Sequence, residues 1–101
     1  MEYELAVSSA KRSDLVDITS EVQERVRRRD VEKGICAIFV PHTTAGLVIN
    51  ENWDPSVRTD ILAVLDRLVP WQADYHHTEG NAAAHIKAVL VGASATLPVE
   101  A

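Results

Sequence analysis

Four histidines, seven carboxylates and only three basic residues share the stretch from residue 34 to 101. Imidazole and carboxylate without compensating Lys or Arg suit a divalent cation, although composition alone favours a solvated acidic surface with scattered His. The densest part is Tyr75-His76-His77-Thr78-Glu79-Gly80-Asn81-Ala82-Ala83-Ala84-His85. His77 and His85 converge if the loop folds back onto the helix it precedes. Neutral imidazole is the commonest metal ligand, and a nearby carboxylate such as Glu79 orients it. The spacing is not H-E-x-x-H, and His77-Thr78-Glu79 lacks the P-C-x-x-C partner of a zinc deaminase. Gly80 and Asn81 stand where helix-start N–H groups lack intrahelical partners, which together with the macrodipole makes a phosphate cradle. No Ser lies in a G-x-S-x-G elbow, so a serine hydrolase finds no support.

These residues need elements to hold them. Tyr3, Leu5 and Val7 alternate with polar or small neighbours and predict a half-buried strand. A helix is expected from the Asp17–Ser20 stretch to about Asp30, with Ser20 and Gln23 at capping-box spacing and Glu21–Arg25 and Glu24–Arg28 as i,i+4 pairs. Its Arg-rich end reads as a solvated face because acids alternate with the arginines. Ile35 to Val40 is apolar throughout and predicts a strand covered on both faces, with Cys36 in the core and Leu47–Ile49 as a neighbouring strand. Asp54-Pro55 starts a second helix, with Val57, Ile61, Val64, Leu65 and Leu68 as its buried stripe and Pro70 as its end. A third follows Gly80-Asn81, with the stripe Ala82, Ile86, Val89, Leu90 and Ala93 and an exit at Gly92. Thr96 to Val99 reads as a last strand. Trp53 and Trp71 flank the second helix and read as packing.

At 100° per residue, Asp60 lies beside Val64 at the edge of the second stripe, and His85 beside Val89 at the edge of the third. Each helix thus directs a polar group to the border between core and solvent. A pairing of Asp60 with Arg67, or of His85 with a carbonyl, accounts for the same pattern without any function.

The chain has 101 residues and a net charge of −5, with 47% hydrophobic residues. One α+β domain over residues 1–101 is expected, because strands and helices mix without strict βαβ alternation. The acidic balance argues against a nucleic-acid partner. One Cys excludes an internal disulfide and a Cys-rich zinc site. No apolar run approaches the ~20 residues of a membrane span, and no signal-peptide pattern opens the chain. The expected setting is cytoplasmic, with no membrane partner.

From Pro41 onward, PHTTAGLVINENWDPSVRTDIL, LVPWQADYHHTEGNAAAHIKAVLVGAS and TLPVE resemble the YjbQ family (UPF0047), also labelled secondary thiamine-phosphate synthase. The resemblance covers nearly the whole chain. It implies an α+β fold with a β-sandwich and three helices, assembled as a homotrimer. It implies a pocket built from the matching polar positions, with metal ligands among His77, His85, His42 and Asp60. Glu79, Asn50 and Glu51 would act in catalysis, and Thr43, Thr44, Gly80 and Asn81 would bind a phosphorylated small-molecule substrate. The implied cofactor is a divalent ion: zinc, magnesium or manganese. Family members continue after the L-P-V segment with a G-x-L-x-L-G-x-W-Q stretch and a D-G-P-R tail, the closing strands of the sandwich. Neither stands in these 101 residues.

Three functions follow as expectations. The first is a transferase joining an aminopyrimidine diphosphate to a thiazole phosphate with release of pyrophosphate. The second is a metal-assisted hydrolase of a phosphorylated metabolite, in which His or Glu79 activates a metal-bound water. The third is a trimeric metabolite- or metal-binding protein without turnover.

Overall fold

The computed structural model describes residues 2–100. Its elements run α1 (Thr19–Arg28), β1 (Lys33–Phe39), α2 (Pro55–Leu68), α3 (Ala82–Val91) and β2 (Ser94–Glu100). The fold is mixed α+β, with three helices and one two-stranded sheet in which β1 pairs with β2. The Val40 N–H donates to the Ala93 carbonyl at 2.8 Å, joining the end of β1 to the start of β2, so the pair is antiparallel. No described helix is long and apolar enough to cross a membrane.

The chain divides into two compact units: the residues through Cys36 with those from Thr96 on, and Ala37–Ala95. In the first, α1 begins one residue before the expected cap. The Asp17 carboxylate accepts from the Thr19 N–H at 2.9 Å and from the Thr19 hydroxyl at 2.6 Å, so a side chain upstream of Ser20 holds the start. Glu24 accepts from Arg28 at 3.0 Å and from Arg27 at 3.4 Å, which keeps the arginine-rich end paired and solvated. Residues 2–9 have no regular structure. Alternation at Tyr3, Leu5 and Val7 makes a strand only where a neighbouring edge accepts its backbone bonds, and this segment pairs with neither outer edge of the β1–β2 sheet.

Ala37–Ala95 holds the described core, Val69, Ala82 and Ala83. Asp54 caps α2 through a 2.9 Å bond from the Ser56 N–H, with Pro55 in the first turn, where a missing N–H costs nothing. Those bonds, backbone first and then the Ser56 hydroxyl, hold the Asp54 carboxyl below its ordinary pKa. Gly92 ends α3 with φ 95°, a conformation that favours glycine. The Lys87 ammonium donates to the Asp66 carboxylate and links α3 to α2.

Several expected burials are absent. In β1, Cys36 and Ile38 are half-buried, whereas Ile35 is 74% and Phe39 69% exposed. The strand is therefore covered on one face, and Cys36 is at its half-buried face rather than in a closed core. Leu47–Ile49 forms no strand; the Leu47 N–H instead donates to the Gly92 carbonyl at 2.9 Å. Val64 and Leu68 on α2, and Ile86, Val89 and Leu90 on α3, are exposed, Val89 by 82%. Helical periodicity identifies an apolar face but not what covers it, and here the cover is partial, best at Ile86 and Val64 and poorest at Val89. Trp53 is 91% exposed and packs nothing.

Candidate functional site

The start of α3 gathers the chemistry-bearing side chains. The turn at Thr78-Glu79 and the positive φ of Gly80, 80°, fold the preceding loop back on the helix. His77 then meets His85, one turn into α3, with ring centroids 5.1 Å apart and planes at 77°. Glu79 Oε2 lies 3.8 Å from His77 Nε2, beside the imidazole but beyond hydrogen-bond distance. Asn81 stands at the N-cap position without capping the helix through its side chain. Its Oδ1 is buried with no hydrogen-bond partner, a costly state for a carbonyl oxygen. Its backbone carbonyl instead accepts from Ala84 and His85.

Beside this cluster the loop Pro70–Tyr75 is fastened to itself. The Tyr75 hydroxyl donates to the Pro70 carbonyl, and the Tyr75 N–H to the Ala73 carbonyl at 2.8 Å. The loop and the start of α3 enclose a hollow of about 100 Å³ lined by Trp71, Gln72, Ala73, Tyr75, His77, Gly80 and Ala82. A hollow of about 190 Å³ in the other unit is lined by Leu5, Val7, Val16 and Ile18 together with Ser8 and Glu21.

The remaining expected site residues lie elsewhere. His42, Thr43 and Thr44 are exposed at the turn after β1, and Asn50 and Glu51 are exposed in the irregular segment before α2. Asp60 is exposed on α2. The segment bearing His42 is tied to Ala93 through Val40 and to Gly92 through Leu47, just beyond the C-terminal end of α3. Gly46 permits this approach: a Cβ there would come within 2.9 Å of the Gly92 carbonyl oxygen and of the Val91 side chain. His77, Gly80, Asn81 and His85 gather at the opposite end, and ten helical residues span about 15 Å. Among the described residues, no group of three or more His, Cys, Asp and Glu is placed to hold a metal ion. Within one chain, His42 and Asp60 therefore do not complete a metal site with the His77–His85 pair.

Sequence reasoning missed the Lys87–Asp66 link and the Tyr75–Pro70 closure. The first joins residues 21 positions apart, for which no local pattern exists. The second had one signal, a Tyr five residues after a helix-ending Pro.

Comparison with known proteins places the chain in a family. Residues 3–101 match the family model described as UPF0047 protein YjbQ-like. A UPF0047 protein of Methanocaldococcus jannaschii is 45% identical over 100 residues, covering 99% of this chain and 72% of that protein. The Bacillus subtilis UPF0047 protein YugU is 43% identical, covering 95% of this chain and 74% of its own length. Among solved structures, a YbjQ-like protein of unknown function from Sulfolobus solfataricus superposes with a TM-score of 0.88 at 36% identity, covering 93% of this chain and 69% of that one. A Clostridium acetobutylicum member of the family gives 0.81 at 49% identity, and the chain spans 66% of its length. The chain belongs to the YjbQ-like UPF0047 family.

Proposed function

We propose that the chain is a metal-assisted transferase of the thiamine-phosphate-synthase type, joining an aminopyrimidine diphosphate to a thiazole phosphate. In that reaction the thiazole nitrogen attacks the methylene carbon of the pyrimidine, the carbon–oxygen bond to the diphosphate breaks, and its electron pair leaves with pyrophosphate. The nitrogen is already a nucleophile, so the protein's task is to neutralise and hold the leaving group.

The observation that carries this reading is the meeting of His77 and His85 beside the unpartnered Asn81 Oδ1. Two imidazoles and an orphaned carbonyl oxygen fit part of a divalent-ion site, with zinc, magnesium and manganese as the candidates. A bound divalent ion would supply the charge that stabilises the departing diphosphate. His77 and His85 would hold it, with Glu79 beside the His77 ring. The N–H groups at the start of α3 would offer a phosphate the positive end of the helix dipole.

His42, Asp60, Thr43, Thr44, Asn50 and Glu51 enter this reading through assembly. Three copies of the family's sandwich would cover Ile35, Phe39 and Val89, whose exposure is unusual for a lone chain. The residues after β1 in one copy would then complete the start of α3 in another, which one chain does not do for itself.

The test is to incubate the metal-loaded protein with both substrates and measure the coupled product and pyrophosphate together. Equal amounts of the two support the transferase. Phosphate released from either substrate alone indicates the hydrolase, and binding without turnover indicates a metabolite-binding protein; both contradict it.

A further inference from the structure

We propose that Tyr75 is a positioning residue for the His77–His85 pair: its hydroxyl, bonded to the Pro70 carbonyl, holds the loop that carries His77 against α3. The pair needs such a hold. His85 is fixed on α3, whereas His77 belongs to no helix or strand. Glu79 Oε2, at 3.8 Å from His77 Nε2, is too distant for a hydrogen bond and does not fasten the ring. His77 therefore takes its place from the backbone on either side of it.

That backbone runs between two buried ends, Val69 just after α2 and Ala82 and Ala83 at the start of α3. It is pinned at two points between them. Upstream, the Tyr75 hydroxyl reaches back to the Pro70 carbonyl, next to Val69, and the Tyr75 N–H donates to the Ala73 carbonyl at 2.8 Å. Downstream, the positive φ of Gly80 sets the turn into α3. Residues 76–79 lie between the two pins, and His77 is among them. Without the upstream pin the unfixed stretch would run from residue 70 to 79. The range of positions open to His77 grows with the length of unfixed chain. Of the two bonds that Tyr75 makes, the hydroxyl's closes the larger ring and ties the loop to the end of α2. One oxygen atom carries it, so Tyr75→Phe removes the pin and keeps the aromatic ring.

The inference rests on the reading that these two imidazoles hold a divalent ion, and it adds what sets their spacing. Removing a group that orients a metal's histidines weakens the metal by about 10-fold to 100-fold. Tyr75 acts through the backbone, one step further from the ion, which puts its effect at the lower end.

The test compares the full chain with Tyr75→Phe and with Gln72→Ala, a control at an exposed side chain of the same loop. The first readout needs no metal: the NMR nuclear Overhauser effect between the ring protons of His77 and His85. The second is zinc affinity by calorimetric titration. Tyr75→Phe should keep its helix content and dispersed spectrum, lose most of the ring-to-ring effect, and bind zinc about tenfold more weakly. Gln72→Ala should match the parent in both. A ring-to-ring effect of parental strength in Tyr75→Phe, or an equal loss in Gln72→Ala, overturns the positioning role. A parent chain that shows the effect and binds no zinc contradicts the metal reading alone, and the ring-to-ring comparison still decides the role of Tyr75. In the unsubstituted chain the Tyr75 N–H should be protected from hydrogen exchange. Free exchange there overturns the clasp even if Tyr75→Phe does not fold.

Discussion

His85 stands one turn inside α3 and meets His77, eight residues earlier, edge to face with ring centroids 5.1 Å apart. The contact exists because Gly80 adopts a positive φ and turns the intervening loop back on the helix. Two imidazoles at this spacing, next to an unpartnered Asn81 carbonyl, are the part of the candidate site that one chain builds by itself.

Gly46 is predicted to be intolerant of even a methyl group. Its Cβ would meet the Gly92 carbonyl oxygen at 2.9 Å, and backbone cannot retreat as a flexible side chain can. Gly46→Ala should lower the unfolding free energy by about 1–3 kcal/mol in a denaturant titration. An unchanged midpoint would show that the 40–47 segment is not anchored to the end of α3.

The Lys87–Asp66 pair should matter more than a surface ion pair. The Lys87 side chain is only 16% exposed, while Asp66 is half-exposed. Asp66→Ala should cost about 1–2 kcal/mol, above the usual surface value, because a largely covered ammonium loses its carboxylate. Little loss on thermal unfolding would mean that water replaces Asp66 without penalty.

Asp54 makes the start of α2 sensitive to acid. Its folded pKa lies below the ordinary value because the Ser56 N–H and hydroxyl bond the charged carboxylate. For a lowered carboxylate, the stabilisation is present in full above the unfolded pKa and disappears as pH falls through the folded one. Helicity should therefore decline below about pH 4, and Asp54→Ala should remove that component and lower the melting temperature near neutral pH. Identical acid titrations for Asp54→Ala and the parent would contradict the assignment.

What could be read from the sequence was local. The Asp54-Pro55 start and the Gly92 exit need only neighbours along the chain, and both stand where the residues place them. The strand at Tyr3–Val7 and the stripe through Ile86, Val89 and Leu90 depend on a surface to cover them. Hydrophobic periodicity cannot identify that surface, and among the described residues it is supplied only in part. In the site the same division holds. His77, Glu79, Gly80, Asn81 and His85 meet because one loop and one helix bring them together, whereas His42 and Asp60 were grouped with them by family resemblance and are not gathered there within the chain.

The metal content of the purified protein at its native mass tests the central claim most directly. The account predicts about one divalent ion per subunit. It also predicts loss of that ion in His85→Ala, with helix content retained because Ala is a good helix former. No bound metal after incubation with zinc, magnesium or manganese, or unchanged content in His85→Ala, would contradict it.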